Sequence, residues 1–244
     1  MIIKLENPSV LAKAVEIISE LVTEVKLKVN EFGISVTAID PANVSMVEFK
    51  IPKSSFSHFE SDNEALGINL DDFKRILKRC GIGSSLILEK RGNLLGIQIQ
   101  DRIKRNFSLS LIDIEREDKE MPNLDFDVKA ELNSLDFISS VEDCSIVADA
   151  CSFIAGGGKF IIEAKGLNSA RTEFSESEAR IESLKSEQIE SRYSLEYLQK
   201  FTKGAKLCEK TILKFSEDSP LKVEFKTPQI ELSFILAPRV KTED

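Results

Sequence analysis

The chain alternates. Glu24-Val25-Lys26-Leu27-Lys28-Val29-Asn30 places an apolar side chain at every second position, the pattern of a strand with one wet face and one buried face. Glu31-Phe32-Gly33 turns the chain into a second run, Ile34 to Ile39, and Val44 to Ile51 makes a third, ended by Pro52. Leu94 to Gln100 follows the turn Arg91-Gly92-Asn93, and Phe107-Ser108-Leu109-Ser110-Leu111 comes next. Lys210 to Phe215 and Leu221 to Lys226 flank a turn at Ser216 to Pro220, and Ile230 to Leu236 closes the series. Met1 to Glu6 has the same strand pattern. Turn signals about every 8–12 residues suit antiparallel sheets.

The period changes to that of a helix at four places. Pro8 to Leu21 has proline near its first turn and Val10, Ala14, Ile17, Ile18 and Leu21 on one face. Asp71 to Cys80 brings Phe73, Ile76, Leu77 and Cys80 together. Ser134 to Val147 and Ser194 to Lys203 are their counterparts, with Ser134 and Ser194 expected as N-caps. The predicted class is α+β, with strands in one layer and two helices per half in the other.

The second half echoes the first. Asn7-Pro8-Ser9-Val10-Leu11 finds a counterpart in Leu132-Asn133-Ser134-Leu135, and Gly33 to Ala38 in Gly158 to Glu163. Leu70 to Arg75 finds one in Ser194 to Gln199. Three landmarks in order at one offset imply two copies of one domain rather than a short-period solenoid. Between the copies, Asp113 to Asp127 holds seven acidic residues against Arg116 and Lys119, includes Met121-Pro122-Asn123, and follows neither period. It reads as an exposed linker. The expected division is a first domain over 1–113, a connector over 114–127 and a second domain over 128–244.

Composition adds constraints. With 42% hydrophobic and 30% charged residues, the 244-residue chain has the balance of a soluble globular protein, and its net charge is −8. An acidic total argues against a protein coated in lysine for nucleic acid, but not against a local basic surface. Cys80, Cys144, Cys151 and Cys208 form no C-x-x-C pair, and His58 is the one histidine, so no zinc ligand set is expected. The cysteines read as buried free thiols in a reducing compartment. No apolar run reaches the roughly 18 residues of a membrane span, and the N-terminus lacks a signal-peptide pattern, so an intracellular protein is expected.

Catalytic chemistry finds little support. Gly156-Gly157-Gly158-Lys159 lacks the spacing of a phosphate loop and has Phe160 where Ser or Thr is needed, so a hairpin turn is expected. His58 has no nucleophile motif near it. Asp71-Asp72 suits a helix start, where carboxylates complement exposed N–H groups. No cofactor or metal is expected, and no enzyme. What stands out is basic. Lys74, Arg75, Lys78 and Arg79 lie on the second helix away from its apolar stripe. Lys200, Lys203 and Lys206 follow the matching helix, and Lys13 lies on the outer side of the first. Each group alone reads as a solvated helix face. Matched groups in an acidic chain point to a phosphate-contacting surface without base readout.

These residues carry a resemblance. Leu236-Ala237-Pro238-Arg239 after an apolar strand, Ala38-Ile39-Asp40-Pro41-Ala42-Asn43-Val44, the acidic linker with Met121-Pro122, and the duplication together resemble the proliferating cell nuclear antigen family of sliding DNA clamps, archaeal type. The resemblance covers essentially the full length. It implies a homotrimer whose six domains ring duplex DNA, with sheets outside and helices lining the hole. It also implies a processivity factor for a replicative polymerase, placed on DNA by a clamp loader and shared with flap endonuclease and DNA ligase.

By position, the resemblance assigns DNA contact to Lys13, Lys74, Arg75, Lys78, Arg79, Lys200, Lys203 and Lys206. It assigns docking of partner peptides to Ile39, Val44, Met46, Met121, Pro122, Phe126, Pro220, Ile235, Ala237 and Pro238. Pro238 is expected to stop the strand ladder and leave backbone groups free for an extended peptide. The subunit joint is assigned to two strand edges, Phe107 to Leu111 and Ser169 to Phe174, and within them to Phe107, Leu109, Leu111, Ala170, Thr172 and Phe174. The chain departs from the family in two places. Ser134 to Val147 carries Asp136, Glu142 and Asp143 but no Lys or Arg, and Ile235 stands where related clamps often carry an aromatic residue. The alternative function is one subunit of a ring built from different chains. Location in either case is with DNA, in archaeal cytoplasm or a eukaryotic nucleus.

Overall fold

The computed structural model describes residues 1–115, 119–183 and 187–240. Arg116 of the expected linker lies outside them. Two compact units divide the chain. The first comprises Met1–Pro41, Val47–Met121 and Pro228–Leu232; the second comprises Ala42–Met46, Pro122–Thr227 and the chain from Ser233 onward.

In the first half the elements run β1 (Ile2–Leu5), α1 (Ser9–Ile18), β2 (Glu24–Asn30), β3 (Gly33–Ile39), β4 (Ser45–Pro52), β5 (His58–Glu60), β6 (Glu64–Asn69), α2 (Leu70–Leu77), β7 (Ser85–Arg91), β8 (Leu94–Gln100) and β9 (Lys104–Ser110). The second half runs β10 (Val128–Asn133), α3 (Ser134–Val147), β11 (Ala150–Gly156), β12 (Lys159–Lys165), β13 (Ser169–Phe174), β14 (Ala179–Ser183), β15 (Ile189–Ser194), α4 (Leu195–Ala205), β16 (Lys210–Phe215), β17 (Leu221–Lys226) and β18 (Glu231–Leu236). The class is α+β.

Strand pairing repeats between the halves. β1 pairs with β5 and β7, and β10 pairs with β14 and β16, all antiparallel. β2 lies between β3 and β6, and β11 lies between β12 and β15. In the first unit a five-stranded sheet has the order β5-β1-β7-β8-β9, which leaves β9 at an edge. In the second unit a four-stranded sheet has the order β13-β12-β11-β15, which leaves β13 at an edge.

Alternation builds these sheets. In β2, Val25, Leu27 and Val29 are buried while the intervening lysines are half-exposed. Gly157 and Gly158 close the β11–β12 hairpin at φ 59 and 73, a conformation that glycine adopts without a Cβ clash. At Gly67 in β6, a Cβ would lie 2.0 Å from the Ile112 carbonyl oxygen. Ile112 N also donates to Gly67 O at 3.0 Å, so the chain leaving β9 is pinned against β6.

The cores differ in composition. Phe153 of the second unit packs edge-on against Phe160, Tyr193 and Phe215, and Phe201 stacks on Phe234 at 4.3 Å between centroids. In the first unit the buried residues are mostly aliphatic, Ile3, Leu11, Val29, Leu88, Leu95 and Ile99 among them, with Phe49 and Phe73 as buried aromatics. All four cysteines are free thiols; Cys144 and Cys151 are buried as expected, but Cys80 and Cys208 are only half-buried.

Several boundaries shift from expectation. The N-cap of α3 is Asn133, not Ser134, because the Asn133 Oδ1 accepts from Leu135 N at 2.8 Å. Ser134 is instead buried, with its Oγ 2.9 Å from Thr211 Oγ1. α2 is likewise capped by Asn69, whose Oδ1 accepts from Asp72 N at 3.1 Å. Ser194 is the N-cap residue of α4 but makes no side-chain cap bond. β9 begins at Lys104 and ends at Ser110, so Leu111 lies beyond the strand, where its N–H bonds Asn93 O at 3.0 Å.

Candidate functional site

The basic residues of the first unit lie on a packed helix pair, α1 against α2. Burial of Leu70, Phe73 and Leu77 turns the opposite side of α2 outward, where Arg75 is exposed and Lys74 half-exposed, and Lys78, its C-cap, and Arg79 just past it are exposed as well. Acidic neighbours accompany three of these cations. Lys74 Nζ is 3.0 Å from Asp71 Oδ1 and donates to Ser19 Oγ at 2.9 Å. Arg75 pairs with Asp72 one turn before it. Lys78 Nζ reaches Glu16 Oε1 on α1 at 3.0 Å. Arg79 and the exposed Lys13 have no ion pair among the described residues. Exposed pairs of this kind are worth about 0–1 kcal/mol, so a phosphate can displace the carboxylate at little cost.

In the second unit α3 packs against α4. Lys200 Nζ lies 3.0 Å from Glu196 Oε1 and 4.9 Å from the centroid of the Tyr197 ring. Lys203 and Lys206, the latter the C-cap of α4, are exposed. α3 presents different chemistry: exposed Leu135, Asp136, Ser139, Glu142, Asp143 and Ile146, with Leu135 and Ile146 at 69% and 83% exposure. The structure therefore places Lys13, Lys74, Arg75, Lys200 and Lys203 on α1, α2 and α4, while α2 ends at Leu77 rather than Cys80, so Lys78 and Arg79 follow it as Lys206 follows α4. Glu16, Asp71, Asp72, Glu196 and Tyr197, which hold those cations, were not part of the predicted surface. The i, i+3 and i, i+4 spacings could have found all but Glu16.

The residues expected to dock peptides divide between the units. Ile39 and Met121 belong to the first; Val44, Met46, Pro122, Phe126, Pro220, Ile235, Ala237 and Pro238 belong to the second. Within the second unit, Ala237 N donates to Val44 O at 2.9 Å, which brings those two together. Asp127, next to the half-buried Phe126, donates its N–H to Ser216 Oγ at 2.9 Å and so ties the connector to the β16–β17 turn. That turn ends in Pro220 and is held on β15, where Tyr193 Oη donates to Ser219 O at 2.8 Å. Ile235 retains only 7% exposure and offers a bound chain little surface.

The backbone after β18 is less open than expected. The Ala237 N–H is used on Val44, Pro238 has none, and Arg239 N donates to Arg192 O at 2.7 Å. An Arg239 Nη1 to Asp149 Oδ2 pair at 2.6 Å fixes the same residue, and that hydrogen bond holds the Asp149 carboxyl below its usual range. No donor among the described residues reaches the carbonyls of Ala237 or Pro238. This segment can accept hydrogen bonds but has none to give.

At the two strand edges, Phe107 is half-buried and Leu109 buried on β9, while Ala170 and Thr172 are half-buried and Phe174 buried on β13. Asp101 anchors the start of β9. It accepts from Ile103 N at 3.1 Å, from Ser84 Oγ at 3.3 Å and from Arg105, and the Ile103 bond leads in holding its carboxyl below the usual range. On β13, Arg171 bridges Glu163 and Glu173 at 3.0 Å each. Among the described residues no group of three or more His, Cys, Asp or Glu is placed to hold a metal ion. No described helix is long and apolar enough to cross a membrane.

The comparisons with known proteins agree over the whole chain. The model for the proliferating cell nuclear antigen N-terminal domain matches residues 1–120, and that for the C-terminal domain matches residues 120–240. The chain is 36% identical over 228 residues to DNA polymerase sliding clamp 1 of Thermococcus kodakarensis, covering 91% of this chain and 92% of that protein. It is 34% identical over 242 residues to the DNA polymerase sliding clamp of Pyrococcus furiosus, covering 97% of each. Among solved structures, it matches proliferating cell nuclear antigen from Thermococcus kodakaraensis with a TM-score of 0.91 at 27% identity, covering 98% of this chain and 99% of that one. The corresponding protein of Entamoeba histolytica matches with a TM-score of 0.90 at 26% identity, covering 98% of each. Duplicated pairing, repeat-related helices and both family models lead to one assignment: the chain belongs to the proliferating cell nuclear antigen family.

Proposed function

We infer that this chain is a sliding clamp, a ring-forming protein that encircles duplex DNA and tethers a DNA polymerase to it. Family membership over the full length supports this reading, and one feature of the chain carries it. In a protein of net charge −8, cations gather on α2 and α4, which occupy the same place in the two repeats. A tether that slides must attract phosphate without reading bases, and unspecific lysine and arginine contact does that. Closure by three copies gives six repeats, and β9 and β13 are the two edges that such closure would consume. The protein has no catalytic part in this reading; its effect is topological.

The finer partners follow from the same reading. The connector, residues 114–127, and the segment Ala237-Pro238 dock short peptides of polymerase, flap endonuclease and DNA ligase, and a clamp loader opens the ring. Met121 and Phe126 suit this role as half-buried apolar side chains in an acidic connector.

The test is mass followed by retention. Light scattering of the purified chain should give three times its 27.3 kDa mass. Rings loaded on nicked circular DNA should stay bound until the circle is linearised. A monomer that assembles only with a different related chain would replace this reading with the mixed ring. Free loss from closed circles would refute encirclement.

A further inference from the structure

Two nearly bare aliphatic side chains lie beside the two strand edges. Ile82, in the Gly81-Ile82-Gly83 loop after α2, is fully exposed at 109%, and Leu135, in the first turn of α3, is 69% exposed. Neither position is loose. Ser84 Oγ accepts from Gly81 N at 2.9 Å and donates to Asp101 Oδ2 at 3.3 Å, which fixes the loop to the start of β9. The Asn133 cap holds the Leu135 backbone. A lone exposed aliphatic is ordinary on a protein surface, so what singles these two out is their place beside the two strand edges that ring closure would pair.

The chain path sets where each sits along its edge. Ile82 lies at the N-terminal end of β9, because Asp101 joins its loop to Ile103 and Arg105. Leu135 lies towards the C-terminal end of β13. Phe174 ends β13, and five residues later Ala179 pairs with Leu132, just before α3 begins. The other end of α3 lies at the opposite end of the strand, with Val147 O 3.2 Å from where a Cβ would stand on Gly166. α2 packs against β9 and α3 packs against β13. If the β9 edge of one copy pairs antiparallel with the β13 edge of the next, Ile82 arrives beside Leu135. A parallel joint would instead bring Ile82 to Ile146.

Charge is compatible with the antiparallel choice. Arg79, three residues before Ile82, has no ion pair among the described residues, and neither has Asp136, next to Leu135. Arg105 on β9 keeps a buried Nε with no acceptor among the described residues. The far end of α3 offers acids as well, Glu142 and Asp143, so charge alone does not fix the direction; the antiparallel habit of the described strand pairs does.

We propose that Ile82 of one copy seats against Leu135 of the next, with Arg79 facing Asp136, as a clasp on the helix side of the β9–β13 joint. The occupant is a second copy of this chain, and the proposal rests on the ring reading above. It gives the acidic, cation-free α3 a task in the joint rather than on DNA. It also makes joining selective, since a related chain with a polar residue at either position would leave the other aliphatic wet.

Cysteine pairs test it in a Cys80→Ser, Cys208→Ser background. After mild oxidation, Ile82→Cys with Leu135→Cys should give covalent two- and three-chain species on a non-reducing gel, while Ile82→Cys with Ile146→Cys should not. Cross-linking only through position 146, or through neither while light scattering still gives three chains, would overturn the clasp and leave the ring intact. A single-chain mass in that background and in the unaltered protein would overturn both. Leu135→Asp should weaken assembly about tenfold or more, and adding Ile82→Lys should restore most of the loss. Failure of that rescue, with Leu135→Asp folded by circular dichroism, would also count against the contact.

Discussion

α2 and α3 are the two helices that follow a capping asparagine, and their exposed faces are opposites. Asn69 leads into a face of Arg75, Lys78 and Arg79; Asn133 leads into one of Leu135, Asp136, Ser139, Glu142, Asp143 and Ile146. The local scaffold is shared and the surface is not. α3 is the repeat counterpart of α1, whose exposed face mixes Lys13 with Glu16, whereas α2 and α4 are counterparts and both carry cations. The duplication thus kept cations on the second helix of each copy and let the first helix vary. Buried faces are constrained by packing, while an exposed face answers only to what touches it.

Predictions that bear on this contrast can be ranked by expected effect. Reversing the α2 cations with Arg75→Glu and Lys78→Glu should flatten the salt dependence of weak linear-duplex binding by about 1.8 in the logarithmic slope, two contacts at about 0.9 each. Anisotropy across a salt series measures it, and an unchanged slope would show that α2 does not face phosphate. Ser139→Lys with Glu142→Lys on α3 should steepen the same slope by less than this. A gain as large as the α2 loss would mean that α3 lies as near to DNA as α2, against the contrast drawn here.

The caps sharpen the comparison from the other side. Asn69→Ala and Asn133→Ala should each cost about 1 kcal/mol in urea unfolding, because each removes one side-chain acceptor from a helix start. Widely unequal costs would show that the scaffolds are less alike than their hydrogen bonds. The smallest effect concerns acid. Burial pushes the Glu224 carboxyl up, but Lys214, Lys226 and Lys222 outweigh it and hold it below its ordinary 4.5. A depressed carboxylate stabilises the fold above its unfolded value, and that contribution is lost as pH falls through the folded one. Stability should therefore drop below pH 4.5, less steeply in Glu224→Gln. Parallel acid limbs in the two proteins would remove Glu224 from the account.

Local patterns were legible in the sequence and distant ones were not. β2, β8, β16 and β17 fall where alternation put them, since a half-buried strand writes its period into adjacent residues. The start of β9 was hidden because Lys104-Arg105-Asn106 carries no apolar residue at an edge. Ser134 and Asn133 are both good caps, and only the demand of Thr211 for the serine hydroxyl separates them. The cations of the candidate site could be read from helical period. Their partners could not always be read: Glu16 meets Lys78 only because α1 packs on α2. The closing of the Ala237 N–H by Val44 depends on a pairing across most of the chain.

The one-sided backbone after β18 has a consequence for what this surface will tolerate. Two identical extended segments can zip together only if each donates as well as accepts. A stretch whose N–H groups are spent on Val44 O and Arg192 O, with proline between them, cannot zip with its own copy. It remains open to a chain that brings its own donors, and it would turn away one with proline in register. Hydrogen-bond parity therefore works here as a filter. A strand end that looks exposed enough to seed aggregation is silent towards other molecules of its own kind, and its backbone could pair only with a chain that brings donors.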